Sequence, residues 1–184
     1  MEKKLYFIAL LILTIAMLIF VFKVYLKSIT TNKLVKIAIV AALYALLTIN
    51  LAPISYGFIQ FRLSEVMVLL AFIDPLYIPA LVLGCIMANI FSPLGMIDVF
   101  VGSFATLLSV YMINKSKNLF LASLWPCIMN GIFVAAELYL LNIAPFWASI
   151  LYVALGEFGV VSIIGVPLFK TLLSNNKINS ILKI

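Results

Sequence analysis

Seven apolar runs with short connections between them take up almost the whole of this chain, and two of the runs carry a carboxylate in their middle. The runs lie at residues 5–22, 37–51, 64–73, 76–91, 96–113, 119–141 and 146–169. Such runs cannot be hidden inside one soluble core when 66% of the residues are apolar and only 10% are charged. The chain is therefore read as an all-α, polytopic integral membrane protein. Its 184 residues leave no stretch for a soluble catalytic or nucleotide-binding domain. A formal charge of +6 would suggest nucleic acid in a soluble protein, but here the lysines sit in the connections. Lys33, Lys36, Lys115, Lys117, Lys170, Lys177 and Lys183 fall on one side of a six-span arrangement, and the opposite loops hold no Lys or Arg except Arg62. The positive-inside rule then places both ends of the six-span core in the cytoplasm, with the lipid bilayer rather than nucleic acid as the surrounding partner.

Residues 5–22 are close to the roughly 20 needed to cross a hydrocarbon core of about 30 Å. No small-residue cleavage site follows them, so they are expected to form a retained anchor. The expected organisation is an extra N-terminal transmembrane helix within residues 1–30 and a six-helix bundle over residues 31–184. In the second run Ala38 and Ala42, and likewise Ala41 and Ala45, are four apart. That spacing puts alanines on one helix face and lets another helix approach closely. Residues 52–63 contain Pro53, Ser55, Gly57, Gln60 and Arg62, which break the helical pattern. The run at 64–73 covers only about half of a hydrocarbon core as an α-helix. The preceding loop must then dip into the membrane, where irregular backbone survives only when buried in protein or lining a cavity, so a re-entrant lid is expected.

The polar residues at membrane depth or beside the lid are few: Gln60, Arg62, Ser64, Glu65, Asn89, Asp98, Asn130, Glu137 and Glu157. Carboxylates inside the bilayer cost free energy unless something pairs with them, so Glu137 and Glu157 read as a binding site, with a buried structural contact as the alternative. Arg62 and Glu65 are three apart and are expected to pair at the start of a helix, holding the lid in register. Asn130 and Glu137, two helical turns apart, point the same way into the bundle. Gly156 and Gly159 thin the last helix around Glu157, leaving room for a ligand or a close crossing. Tyr56 and Phe58 in the lid, and Trp147 at the start of the last helix, are placed to stack on a flat ligand.

The chain has no GxxxxGK[ST] phosphate loop, no HExxH or GxSxG motif, and no histidine. Intrinsic ATP hydrolysis is excluded, and no cofactor is called for. Cys85 and Cys127 lie in apolar runs with no histidine to complete a zinc site, so they read as small core residues.

FIQFRLSE at 58–65, GCIMAN at 84–89, PLGMIDVFVGSFATLL at 93–108, NGIFVAAELYL at 130–140 and GE at 156–157 resemble the queuosine-precursor transporter family. Its members are substrate-binding S-components of energy-coupling factor (ECF) vitamin importers. The resemblance runs from about residue 33 to residue 170 and leaves the first run unmatched. It implies a six-helix S-component bundle that captures a 7-deazaguanine at the outer face, then topples within a complex of one transmembrane coupling protein and two ATPases. It further implies that the alanine face of residues 37–51, with Ala38, Ala41, Ala42 and Ala45, docks on the coupling protein. A deazaguanine offers a ring N–H and an exocyclic amine on one edge, which one carboxylate can accept as a bidentate pair. Precursors with an aminomethyl arm, and queuine, add a cation that a second acid would neutralise. Glu137 is assigned one role and Glu157 or Asp98 the other, with Asn89, Asn130 and Gln60 addressing the remaining ring positions. Other readings are a stand-alone secondary transporter, an S-component for a different vitamin, a lipid-modifying enzyme, or a structural subunit that binds no small molecule.

Overall fold

The computed structural model describes residues 29–183 apart from Phe58, together with Ile12, Ile15, Ala16, Ile19, Phe20, Val21, Lys23, Val24 and Tyr25. The expected extra helix at residues 5–22 lies largely outside the described residues. Of its described members, Val21 is buried against the main core, and Tyr25 just beyond it packs there too.

The protein is an all-α integral membrane protein, and no strand occurs among the described residues. Helix α1 (Thr31–Asn50) is followed by the short α2 (Ala52–Ser55), a 3₁₀ segment (Leu63–Leu69) continued by α3 (Leu70–Ile73), and α4 (Tyr77–Asn89). Then come α5 (Met96–Lys115), α6 (Leu119–Leu140), α7 (Phe146–Glu157), a π-helical stretch (Phe158–Gly165), α8 (Val166–Ser174) and α9 (Asn176–Leu182). Four of these units are long and apolar enough to cross a bilayer: Thr31–Asn50, Met96–Lys115, Leu119–Leu140 and Phe146–Ser174. Leu63–Ile73 and Tyr77–Asn89 are shorter, which corrects the expectation that 76–91 makes a full span. Six segments thus alternate between a lysine-rich end and a lid end.

The expected α-helix at 64–73 is also corrected, since its first six residues belong to the 3₁₀ helix Leu63–Leu69. The cause is lateral: Glu65 accepts from the Tyr44 hydroxyl, and Ser64 meets Thr48 at 2.5 Å, so two consecutive residues both turn toward α1. The tighter winding rises about 2.0 Å per residue instead of 1.5 Å, so this short segment reaches further through the bundle. In the last segment Pro167 has no N–H to give the preceding turn, and the backbone just before it widens into the π stretch.

Other boundaries follow from local chemistry. Asn118 caps α6, its side chain accepting from the Phe120 and Leu121 amides at 2.8 and 3.3 Å. Gly95 takes φ +69° to turn the chain into α5. The main core, including Tyr44, Leu69, Ile78, Leu81, Val110 and Val161, fills the space between α1, the 3₁₀ segment, α4, α5 and the π stretch. Gly84 lets α1 and α4 close up: a Cβ there would sit 2.8 Å from Tyr44 Cβ and 2.9 Å from the Ala41 carbonyl.

That contact splits the alanine face. Ala41 and Ala45 are buried toward the interior, whereas Ala38 is exposed and Ala42 half-buried on the outward side, beside exposed Leu34, Val35, Ile39 and Leu43. The idea of one four-alanine docking surface is therefore corrected to an outward pair.

Candidate binding site

The lid is built from its own backbone and then pinned at three places. The Phe61 amide donates to the Ile54 carbonyl at 2.9 Å, closing the loop on α2. The Tyr56 hydroxyl donates to the Ala88 carbonyl at 2.6 Å, tying the loop to the end of α4. Arg62 lies 5.3 Å over the Tyr56 ring and donates through Nε to the Ser55 carbonyl at 3.3 Å. The third pin is α7 itself: a Cβ at Gly156 would overlap the Ile59 carbonyl, and one at Gly159 would lie 3.2 Å from the Phe61 ring. The room left by these glycines is thus occupied by the lid, a close crossing rather than ligand space.

Beneath the lid, the polar residues singled out from sequence converge. Glu65 and Asp98 are fully buried, and Glu137, Glu157 and Arg62 are 1%, 2% and 3% exposed. Glu137 lies within one turn of the lid end of α6 rather than at mid-membrane, so protein and not lipid depth buries it. Arg62 pairs with Asp98 at 3.4 Å, its terminal nitrogen donating to Oδ2. The expected Arg62–Glu65 pair is therefore corrected. Arg62 is the extended residue before the 3₁₀ segment, so it does not share a helix face with Glu65, whose Oε1 is held by Tyr44. Asn130 donates to Glu157 Oε1 at 2.6 Å, which joins α6 to α7. Asn89 donates to the Asp98 carbonyl at 3.0 Å and to Cys85 Sγ at 3.4 Å. Glu137 lies within electrostatic reach of Asp98 and Arg62, and Glu157 within reach of Glu65 and Arg62.

One guanidinium thus pairs with Asp98 and lies within electrostatic reach of three further buried carboxyls, whose oxygens are only partly matched. Glu65 Oε2, Asp98 Oδ1, Glu157 Oε2, both oxygens of Glu137, and Asn89 Oδ1 are buried with no hydrogen-bond partner among the described residues. Buried acceptors without donors are costly and rare in folded proteins, and here they are concentrated under one loop. The arrangement is complementary to a ligand rich in N–H donors and carrying positive charge. Among the described residues no group of three or more His, Cys, Asp or Glu side chains is placed to hold a metal ion.

Two expected site residues lie apart. Gln60, with φ +45°, lines a cavity of about 280 Å³ at the lid mouth with Tyr56, Gly57, Ser92, Leu94 and Leu138. Trp147 is 78% exposed and packs edge-on against Phe146 at 5.3 Å, away from the acids. Phe58 lies outside the described residues, and Tyr56 stacks on Arg62. Sequence reasoning missed Tyr44 and Thr48, which read as packing residues. Their spacing of four, on the same face as Ala41 and Ala45, was the available signal.

Residues 34–174 match the family model described as QueT transporter. The chain is 36% identical over 151 residues to the "Queuosine precursor transporter QueT" of Lactococcus lactis subsp. cremoris (strain MG1363), an alignment covering 72% of this chain and 87% of that protein. No solved structure matches the chain.

Proposed function

The chain belongs to the QueT transporter family, and we propose that it acts as the substrate-binding S-component of an ECF importer, capturing a 7-deazaguanine queuosine precursor or queuine at the outer membrane face. As a queuosine-precursor transporter it is a multi-pass protein of the cell membrane. The observation that carries the finer reading is the set of unmatched acceptor oxygens on Glu65, Asp98, Glu137, Glu157 and Asn89, sealed under a lid. A 7-deazaguanine supplies ring N–H and amine donors, and an aminomethyl arm adds a cation. Glu137, Glu157 and Asp98 accept from the ligand, Asn89 and Asn130 hold the acids in place, Arg62 fixes the lid edge through Asp98, and Glu65 anchors the 3₁₀ segment to Tyr44. Gln60 guards the mouth.

Binding alone does not move a substrate. The chain lacks the phosphate loop of an ATPase, so energy comes from a transmembrane coupling protein with two ATPase subunits, docked through the outward Ala38 and Ala42 of α1. Residues 31–184 carry both functions, and residues 1–30 add an anchor.

Calorimetry on the detergent-purified chain tests the first part, with queuine and 7-deazaguanine precursors as ligands and riboflavin and biotin as controls. Tight one-to-one binding of a deazaguanine alone is expected, and a folded chain that binds none of them sinks the reading. Proteoliposomes test the second part: uptake by the chain alone, without coupling protein and ATPases, would mark it as a stand-alone secondary transporter.

A further inference from the structure

The four acids under the lid are not equivalent. Glu65 has Oε1 held by Tyr44, Asp98 has Oδ2 held by Arg62 at 3.4 Å, and Glu157 has Oε1 held by Asn130 at 2.6 Å. Each of these three therefore offers a ligand a single open oxygen. Glu137 alone among them has both oxygens without a partner among the described residues, at 1% exposure. That asymmetry matters because the two ligand features make different demands. The edge formed by a ring N–H and the adjacent exocyclic 2-amino group presents two parallel donors, and a carboxylate with both oxygens open receives them as a bidentate pair without sharing an oxygen with another donor. An isolated donor, such as a lone ring N–H or an ammonium arm, needs only single oxygens.

We propose that Glu137 is the specificity-determining residue that receives the N–H and 2-amino edge of the ring, while the single open oxygens of Asp98, Glu157 and Asn89 receive the isolated donors. This assignment rests on the deazaguanine reading above and deepens it. The other acids would take the edge either with an oxygen already shared with Tyr44, Arg62 or Asn130, or by releasing that donor and leaving a buried polar group unpaired. Glu137 demands no such exchange. It also lies within electrostatic reach of Asp98 on α5, the helix packed against α6, and the Asn89 amide donates to the Asp98 carbonyl at 3.0 Å, which groups the open oxygens of Asp98 and Asn89 for the remaining donors.

The test is a thermodynamic cycle with two ligands, 7-deazaguanine and 7-deazahypoxanthine, which lacks the 2-amino group. Calorimetric affinities are measured for the unaltered chain, Glu137→Gln and Glu157→Gln, each first shown to be monodisperse with a native thermal transition. The unaltered chain is expected to prefer 7-deazaguanine by about a hundredfold, because a site built to receive an N–H discriminates strongly against its loss. Glu137→Gln should bind 7-deazaguanine about a hundredfold more weakly and reduce the preference to within about threefold, the sign of direct coupling. Glu157→Gln should weaken both ligands alike and keep the preference. Full discrimination by Glu137→Gln, or its loss in Glu157→Gln, overturns the assignment while the deazaguanine reading stands. Should Glu137→Gln not fold, Glu157→Gln still decides, since an unchanged preference supports Glu137 and a lost one refutes it. An unaltered chain that binds neither ligand overturns both.

Discussion

At the lysine-rich end of the bundle, four side chains that reach between segments find partners within the chain, and Asn179 Oδ1 is the buried acceptor left open among the described residues there. Lys36 donates to the Ile181 and Lys183 carbonyls at 3.0 and 3.2 Å, and the Tyr77 hydroxyl donates to the Leu182 carbonyl at 2.7 Å. Asn114 donates to the Ala71 carbonyl at 2.9 Å, and the Trp125 indole to Ser116 Oγ at 3.1 Å. At the lid end the interior is acidic, and six buried acceptor oxygens of the cluster lack donors among the described residues. The first end is arranged to hold the segments together, with α9 folded back across α1 and α4. The second leaves buried acceptors unmatched, which is what the proposed binding role calls for. The two ends differ in what is left over: one has its inter-segment donors placed, and the other keeps acceptors open.

Three substitutions probe that division. The largest expected effect is at the lid end itself. Asp98→Ala should destabilise the fold by about 3–5 kcal/mol, because it strands the buried Arg62 guanidinium. It should weaken ligand binding as well, and denaturation in detergent with calorimetry on the same sample reads both. A loss below about 1 kcal/mol would mean that Arg62 does not depend on Asp98, and that the lid end is less tightly coupled than described.

Gly84→Val acts in the main core instead. Its added carbons meet Tyr44 Cβ and the Ala41 carbonyl, so a destabilisation of about 1–3 kcal/mol is expected from overpacking. Ligand stoichiometry should be unchanged, and a folded variant that has lost binding would show that core packing and recognition are not separable. The smallest effect is expected from Trp147→Ala. Trp147 is 78% exposed, so affinity should stay within about twofold and the thermal transition should hardly move. A tenfold loss of affinity would restore Trp147 to the site.

The sequence made the apolar segments, the lid and most of the polar cluster legible, because ionisable residues in apolar runs have few structural uses. Arg62, Asp98, Asn89, Asn130, Glu137 and Glu157 are all buried, as residues of such a cluster should be. Its pairings were less legible. Arg62 and Glu65 sit three apart, yet they separate because the backbone at Arg62 is extended, and local spacing carries no sign of α5 or α1. Tyr44 and Thr48 escaped notice because hydroxyls among apolar residues are ordinary in membrane helices. The 3₁₀ and π windings are likewise invisible to hydropathy, since both are set by partners elsewhere: Tyr44 and Thr48 for one, Pro167 for the other. Trp147, placed by sequence to stack on a flat ligand, stands 78% exposed at the start of α7, and its substitution to alanine decides that role.

The seating of the Ile59 carbonyl on Gly156 has a mechanical consequence. With backbone resting on backbone, no side chain on either partner can turn aside to absorb a change there, so the loop and α7 move together or part as whole segments. Any side chain added at Gly156 would have to lift the loop off the helix, and with it the neighbouring Arg62 that reaches down to Asp98.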